Sequence, residues 1–378
     1  MKQSEEKKLK KNSARVDKAL SLMKERGLNG LMVYSNGTCS MLRPSYFHYF
    51  AGLRPIGRNQ AVVLSKSGDA VLLLEPAWDA ARGARKSWIS DVRGSTDFIH
   101  DLVGVIRGLN LTGSLGVVAM NDMTDELHAA VIAECKFQPA DDVVEELARV
   151  KTKQEIEHVK KVARIADIGF KAFLEYGRVG IREYELSAEM EYAMRKAGAD
   201  DNFTLLSSGK HNFAMHTPTD KRLEPGDLVL GEITPLCEGQ FIQLCRTIVL
   251  GKPDPAVVEK YDMLLRSFDE ALKPVKSGNP AALISRNMNK VISEAGYAEY
   301  CYPPYMRARG HGLGVGSIAP GGTIDDQTKT MLESQQVIIV HPNQYLPETG
   351  YLACGETVMV TDIGLERLVE TETKLYIK

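Results

Sequence analysis

The segment Gly310-His311-Gly312-Leu313-Gly314 places one histidine between two glycines, whose missing side chains let the backbone approach its surroundings closely. A histidine in such a turn is suited to proton transfer near neutral pH or to binding a metal ion. The pattern is short, and a Gly-His-Gly sequence often arises by chance. Its meaning therefore depends on what precedes and follows it in the chain.

Four further patterns surround this turn. In chain order they are Arg149-Val150-Lys151-Thr152 followed by Glu155-Ile156, Ser208-Gly209 with His216 before Leu223-Glu224-Pro225-Gly226-Asp227, the run Cys245-Arg246-Thr247, and Gly355-Glu356-Thr357-Val358-Met359-Val360-Thr361. One such pattern would mean little. Five in a fixed order across residues 149–361 indicate a family.

Together the five patterns resemble the pita-bread family, which includes prolidase, aminopeptidase P, methionine aminopeptidase and the metal-free enzymes creatinase and ectoine hydrolase. The resemblance implies an α+β fold with a pita-bread catalytic domain over residues 149–378. The stretch Tyr49-Phe50-Ala51-Gly52 is similar to the family's N-terminal domain. We therefore expect a smaller α/β creatinase-type domain over residues 1–148.

Local patterns in the chain favour the same two domains. Short apolar runs such as 31–34, 61–64, 71–74 and 116–119 alternate with helical patterns in the first part, which is typical of α/β structure. Thr152 and Glu155 form a predicted capping box at the start of a long amphipathic helix. Later helices are predicted over residues 186–197, 256–272 and 281–295, and strands over 228–233, 242–250, 337–341 and 357–361.

Composition excludes several classes of partner. The 47 basic and 49 acidic residues give a net charge of −2, so no basic surface for nucleic acid or an anionic membrane is expected. No run of eighteen apolar residues and no signal-peptide core occurs. The six cysteines are scattered and are expected to be reduced. These features predict a soluble, cytoplasmic protein that acts on a small molecule.

The resemblance also identifies the positions at which the family's metallopeptidases hold two cations. The two aspartates of the family fall on Glu232 and Gln243, its histidine on His311, and its two glutamates on His341 and Gly355. Two divalent cations at close range repel each other strongly unless anions bridge them. Both bridging positions are neutral here, so the sequence predicts no dinuclear centre and no cofactor.

Imidazole and carboxylate groups remain at the site, and these suit proton transfer. We expect catalytic roles for His216, Glu232, His311, His341 and Glu356, with His216 as the general base by its likeness to the catalytic histidine of creatinase. Gln243 is expected to contact the substrate. Glu356 would face the pocket only through a bulge at Gly355, since strand residues alternate between faces.

Arginines are the expected partners of a substrate carboxylate. The likeness to creatinase points to Arg58, with Arg54 as a weaker candidate, acting across a homodimer interface. Arg307 and Arg309 are alternatives just before His311. Arg246 is expected to brace the sheet instead.

The resulting functional prediction is a metal-independent hydrolase of a C–N bond, of amide, amidine or guanidine type, in a small polar and zwitterionic substrate. On this interpretation the chain lies nearest the creatinase and ectoine hydrolase branch. Two alternatives stay open. One is a peptidase-like hydrolase or lyase with a single metal ion on Glu232, His311 and His341. The other is a non-catalytic pita-bread binding module.

Overall fold

The computed structural model describes residues 2–38, 45–111, 113–306, 308–316 and 320–378, with side chains from residue 14 onward. Contacts divide the chain into two compact units, Met1–Ala148 and Arg149–Lys378. In the described part of the chain, no helix is both long and apolar enough to cross a membrane.

The first unit is built on a six-stranded mixed sheet. Its helices and strands, in chain order, are α1 Lys2–Glu25, β1 Gly30–Ser35, α2 Tyr46–Ala51, β2 Asn59–Ser65, β3 Ala70–Glu75, α3 Ala80–Lys86, β4 Asp91–Gly94, α4 Phe98–Gly108, β5 Ser114–Val118, α5 Asp125–Glu134, β6 Lys136–Pro139 and α6 Asp141–Arg149. The strand order is β4-β3-β2-β1-β5-β6. The central strand β1 pairs antiparallel with β2 and parallel with β5. This mixed pairing, with helices between the strands, agrees with the predicted α/β structure.

The second unit carries a ten-stranded sheet. Its elements are α7 Lys153–Tyr176, α8 Glu183–Lys196, β7 Asp201–Gly209, β8 Leu228–Cys237, β9 Gln240–Phe241, β10 Leu244–Val249, α9 Pro255–Leu272, α10 Ala282–Ile292, β11 Gly310–Gly312, β12 Thr323–Ile324, β13 Val337–Val340, β14 Gln344–Leu346, β15 Gly350–Leu352, β16 Gly355–Val360, β17 Leu365–Arg367 and β18 Tyr376–Ile377. The main path of the sheet is β12-β11-β13-β16-β10-β8-β7, and β14 pairs with β15 separately.

Capping explains where the long helix of this unit begins. The Thr152 side chain accepts from the Glu155 backbone, and the Glu155 carboxylate accepts from the Thr152 backbone, so the predicted capping box is present. Helix α8 is followed by Gly198 at φ 98°, a left-handed position that favours glycine.

Helices pack against both faces of the large sheet. One core cluster joins side chains of α7 and α8 to Val229 and Ile233 of β8. A second joins side chains of α9 and α10 to Leu228 and Leu230 of the same strand. Because successive strand residues point to opposite faces, this alternation buries β8 on both sides. Strand β8 thus provides a rigid support for any polar side chain that it carries.

A break between two strands places one predicted site residue. The sequence predicted one strand over residues 242–250, but β9 ends at Phe241 and β10 begins at Leu244. The backbone of Gln243 in this gap donates to Thr357 Oγ1 at 3.0 Å, and its carbonyl accepts from the same hydroxyl at 2.8 Å. This pair of bonds fixes Gln243 between the two strands.

Candidate active site

The candidate site is centred on Glu232, which β8 carries in the middle of the sheet. The register sets Glu232 opposite Cys245 on β10, and Cys245 opposite Gly355 on β16. Glu232 Oε2 accepts a weak hydrogen bond from Cys245 Sγ at 3.8 Å, and Gln243 Nε2 lies 3.9 Å from the same sulfur. Neighbouring strands therefore bring together groups that are distant in sequence.

Glu232 has no charged partner in the described part of the chain. None of the ion pairs formed there includes it, although its side chain is only half-buried. Burial raises the pKa of the Glu232 carboxyl to about 7, and the hydrogen bonds from Gln243 and Cys245 oppose this rise. Glu232 can therefore gain or lose a proton near neutral pH.

Two histidines form a separate pair in the same sheet, His311 on β11 and His341 directly after β13. The rings of His311 and His341 lie 5.6 Å apart between centroids. His311 Nδ1 lies 3.0 Å from the Gly312 carbonyl oxygen, which can only accept, so Nδ1 carries the proton and Nε2 keeps its lone pair. Burial lowers the pKa of His311 to about 4 and that of His341 to about 3. Both rings are neutral at pH 7.

Two polar atoms at these positions lack side-chain partners among the residues that the structure describes. Gln243 is 4% exposed and its Oε1 accepts no hydrogen bond from any described residue. His341 Nδ1 is also buried and has no partner beyond its own backbone among the described residues. Since unpaired buried polar atoms are costly, these two mark places where a ligand or water would bind.

Glu356 does not join this cluster. Its Oε2 lies 3.0 Å from Arg246 Nη2 and accepts from Thr373 Oγ1 at 2.5 Å, while Oε1 lies 2.9 Å from Arg367 Nη1. Both oxygens are therefore held by cations and a hydroxyl. This corrects the expectation that Glu356 faces the pocket as a catalytic group, and it agrees with the bracing role expected of Arg246.

His216 is placed on an exposed loop between β7 and β8. Its Nδ1 donates to the Thr217 carbonyl at 2.7 Å, which leaves Nε2 as an acceptor. Among the described residues, no hydrogen bond connects its ring to His311 or His341. The assignment of His216 as general base stays a prediction.

Sequence reasoning missed the residue that holds this loop. Glu183, fully buried at the start of α8, accepts from the backbone and hydroxyl of Ser208 at 2.7 Å each. It also accepts from the backbone and hydroxyl of Thr219 at 2.9 and 2.6 Å. One carboxylate thus binds the end of β7 and Thr219, which lie on either side of His216 in the chain. No local pattern around Glu183 indicates partners so far along the chain.

The arginine predictions have different outcomes. Arg307 lies outside the described residues. Arg309 is buried and donates to Asn289 Oδ1, the Asn343 carbonyl and Gln344 Oε1, so it supports the segment that follows His341. Arg58 is exposed in the first unit, before β2, and its contact with a substrate stays a prediction.

Comparisons with known proteins identify the family of this chain. The profile of "Metallopeptidase family M24" matches residues 157–362, and that of "Creatinase/Prolidase N-terminal domain" matches residues 15–150. The chain belongs to metallopeptidase family M24. The predicted fold, a pita-bread domain preceded by a creatinase-type domain, is therefore confirmed.

Several proteins that resemble this chain are named dipeptidases or prolidases. The Xaa-Pro dipeptidase of Pyrococcus furiosus is 28% identical over 365 residues, which cover 96% of this chain and 99% of that protein. The solved prolidase from Pyrococcus furiosus has a TM-score of 0.80 at 27% identity, covering 93% of this chain and 99% of that one. An Xaa-Pro dipeptidase from Bacillus anthracis, at 24% identity and a TM-score of 0.84, shares the fold over 97% of this chain and 99% of its own.

These relatives correct the functional prediction. They are named for cleavage of a peptide bond, not of amidine, guanidine or other non-peptide C–N bonds. The placement nearest the metal-independent creatinase and ectoine hydrolase branch is also wrong. The loss of carboxylates at the family's ligand positions does not by itself identify the substrate, so it did not justify a change from peptide bonds to other C–N bonds.

The name of the family implies metal ions, so the donors must be tested against them. Gln243 offers only a neutral amide, whose Nε2 lies 3.9 Å from Cys245 Sγ, and Gly355 has no side chain. A Cβ on Gly355 would lie 2.5 Å from the Cβ of His341. Within the described residues no three His, Cys, Asp or Glu side chains are grouped to hold a metal ion. Neither the family's ion pair nor a single ion on Glu232, His311 and His341 fits this arrangement.

Proposed function

We propose that this chain is a hydrolase of the Xaa-Pro dipeptidase type, with its reaction site at Glu232, His311 and His341. The observation that carries the proposal is the similarity to Xaa-Pro dipeptidases over nearly the whole chain, combined with three half-buried titratable side chains of the large sheet whose pKa values burial shifts. Shifted pKa values of this kind are typical of catalytic residues.

The protonation states give these residues distinct tasks. His311 is neutral and offers Nε2 as a proton acceptor, so it can receive a proton from an attacking water. Glu232 titrates near neutral pH and can supply a proton to a departing amine. We retain the homodimer as part of this proposal, as expected from the sequence resemblance.

The direct test is a panel of dipeptides. Purified protein is incubated with Ala-Pro, Met-Pro and the matched dipeptides Ala-Ala and Met-Ala, with Mn²⁺, Co²⁺, Zn²⁺ or a chelator. We expect release of proline from the Xaa-Pro substrates in at least one condition, and His311→Ala should lower the rate by about 10²- to 10⁴-fold. Absence of turnover in every condition would overturn the proposal.

A peptide-binding module is the second candidate, and it is favoured because the described residues include no group of three His, Cys, Asp or Glu side chains that could hold a metal ion. Such a protein would bind Ala-Pro without cleaving it. Calorimetric binding of Ala-Pro in the absence of turnover separates this function from that of an enzyme.

A further inference from the structure

Arg309 is a buried arginine that binds three uncharged acceptors. It is 1% exposed, and its guanidinium donates from Nε to Asn289 Oδ1 at 2.7 Å, from Nη1 to the Asn343 carbonyl at 3.1 Å and from Nη2 to Gln344 Oε1 at 2.8 Å. None of the ion pairs in the described part of the chain includes it. Because a guanidinium is planar and its N–H donors form a rigid fork, Arg309 fixes these acceptors relative to one another.

Two of the acceptors are themselves held in place. Asn289 on α10 is buried, and its Nδ2 donates to Asp326 Oδ1 at 3.1 Å, so its oxygen faces the guanidinium. Gln344 at the start of β14 is also buried, and its Nε2 donates to the carbonyls of Tyr300 and Tyr345 at 2.8 Å each. Neither amide can turn away from the guanidinium without losing these bonds. Since a satisfied buried network is rigid, the guanidinium is bound to a fixed frame.

This network holds the segment of one histidine and adjoins the other. His311 lies two residues after Arg309, on β11. The backbone N–H of His341 donates to the Arg309 carbonyl at 3.0 Å, and the carbonyl of Asn343, two residues further on, accepts from the Arg309 side chain. The same arginine therefore binds the chain at His341 and just after it. The ring centroids of the two histidines are 5.6 Å apart.

We propose that Arg309 is a positioning residue of the candidate site, and that its side chain fixes the ring of His341 relative to that of His311. It acts through the segment that carries His341 and does not touch a substrate. Side chains that transfer protons in a reaction must keep their geometry to within about 0.5 Å. The inference rests on the proposed function only for the view that the two histidines take part in a reaction, because their placement is a property of the protein alone.

The test follows the histidine rings by NMR in the absence of a substrate. The whole chain is labelled with ¹⁵N-histidine, and spectra of His311→Gln and His341→Gln assign the signals of these two rings among the eight histidines. Arg309→Met keeps a long side chain and the backbone hydrogen bond to His341 but removes the guanidinium. We expect the ring signals of His311 and His341 to shift, while the other histidines keep theirs. A loss of stability alone would not single out these two rings.

Arg286→Met is the matched control. Arg286 is exposed on α10 and donates to the Asp326 carbonyl, so its substitution removes the same charge at the outer edge of the same network. We expect both ring signals to stay unchanged in this variant.

Gln344→Leu is the second variant, in case Arg309→Met does not fold. It removes one acceptor of the guanidinium and should shift the His341 signals. Thermal melting shows which variants are folded. Unchanged signals of both rings in folded Arg309→Met, or in Gln344→Leu if only that variant folds, would overturn the inference. Equal shifts of all the histidines would overturn it as well.

The proposed function fails separately from this positioning role. In Arg309→Met the kcat for Ala-Pro should fall about 10-fold to 100-fold, while KM stays within about twofold, because a displaced ring matters mainly in the transition state. Shifted rings in a protein that does not turn over Ala-Pro would support the placement by Arg309 and remove the dipeptidase. Turnover of Ala-Pro by Arg309→Met at the wild-type rate would overturn the inference and leave the hydrolase standing.

Discussion

Two glutamates on the large sheet of the second unit have opposite surroundings. Glu356 on β16 is 1% exposed and contacts two arginines and a threonine hydroxyl. Glu232 on β8 has no cation beside it in the described part of the chain, and its carboxylate accepts a weak hydrogen bond from the Cys245 thiol. A carboxylate that is paired with arginines holds the strands of the sheet together. A carboxylate without a cationic partner is available to bind a ligand. The comparison shows why sequence position alone could not assign the roles of these residues.

The largest expected effect comes from breaking the compensated pair. Glu356→Ala leaves the fully buried Arg246 guanidinium without its carboxylate, and we expect the free energy of unfolding to fall by about 3–5 kcal/mol. Urea denaturation followed by circular dichroism measures this change. Glu356→Gln keeps a hydrogen-bond acceptor and should lose less. A loss in Glu356→Ala no larger than that of an exposed glutamate would contradict the bracing role.

Removing the Glu232 carboxylate should raise the free energy of unfolding instead of lowering it, and the size of this gain should depend on pH. Burial raises the pKa of Glu232 from its ordinary value of 4.5 to about 7, so the folded state binds the proton more tightly than the unfolded state. Its contribution to stability is present below pH 4.5 and is lost as the pH rises through 7. The shift corresponds to about 3 kcal/mol.

We therefore expect the stability advantage of Glu232→Gln over the wild type to grow by up to about 3 kcal/mol between pH 4 and pH 8. Denaturation curves at several pH values measure this difference. The lowered pKa values of His311 and His341 act in the other direction, since their contribution is lost as the pH falls below 6.5. Both histidines are present in the wild type and in Glu232→Gln, so their effect cancels in the difference between the two proteins. A difference that does not change with pH would show that Glu232 is already compensated.

The smallest expected effect concerns the position where the family has a carboxylate and this chain has Gly355. Gly355→Ala introduces a Cβ 2.5 Å from His341 Cβ and 2.8 Å from the Val340 carbonyl oxygen, so the strands must shift. We expect a loss of about 1–3 kcal/mol in the free energy of unfolding, as for other overpacked sites. His341→Gly in the same chain should restore only part of it, because the backbone contacts remain.

Thermal or urea denaturation of the single and double variants measures this coupling. Full recovery in the double variant would show that the His341 side chain alone blocks the position. Tolerance of Gly355→Ala without loss of stability would mean that the family's carboxylate could be rebuilt here by one substitution.

The sequence by itself determined the framework of this protein. The capping box at Thr152, the apolar runs of the strands and the five ordered patterns were sufficient for the fold, because helix starts and strand periodicity depend on neighbouring residues. The sequence also identified Glu232, His311 and His341 as candidate site residues. Each of them lies at a position where the family's metallopeptidases have a metal ligand, and the patterns around them were sufficient to locate these positions.

Only the tertiary structure decided how those candidates are used. Glu356 and Glu232 look alike in sequence, but the fold gives Arg246 and Arg367 to one and neither to the other. The role of Glu183 depends on Ser208 and Thr219, which the fold brings to it from two separate places in the chain. Compensation of charge and satisfaction of polar atoms are properties of pairs in space, so no single segment of sequence contains them.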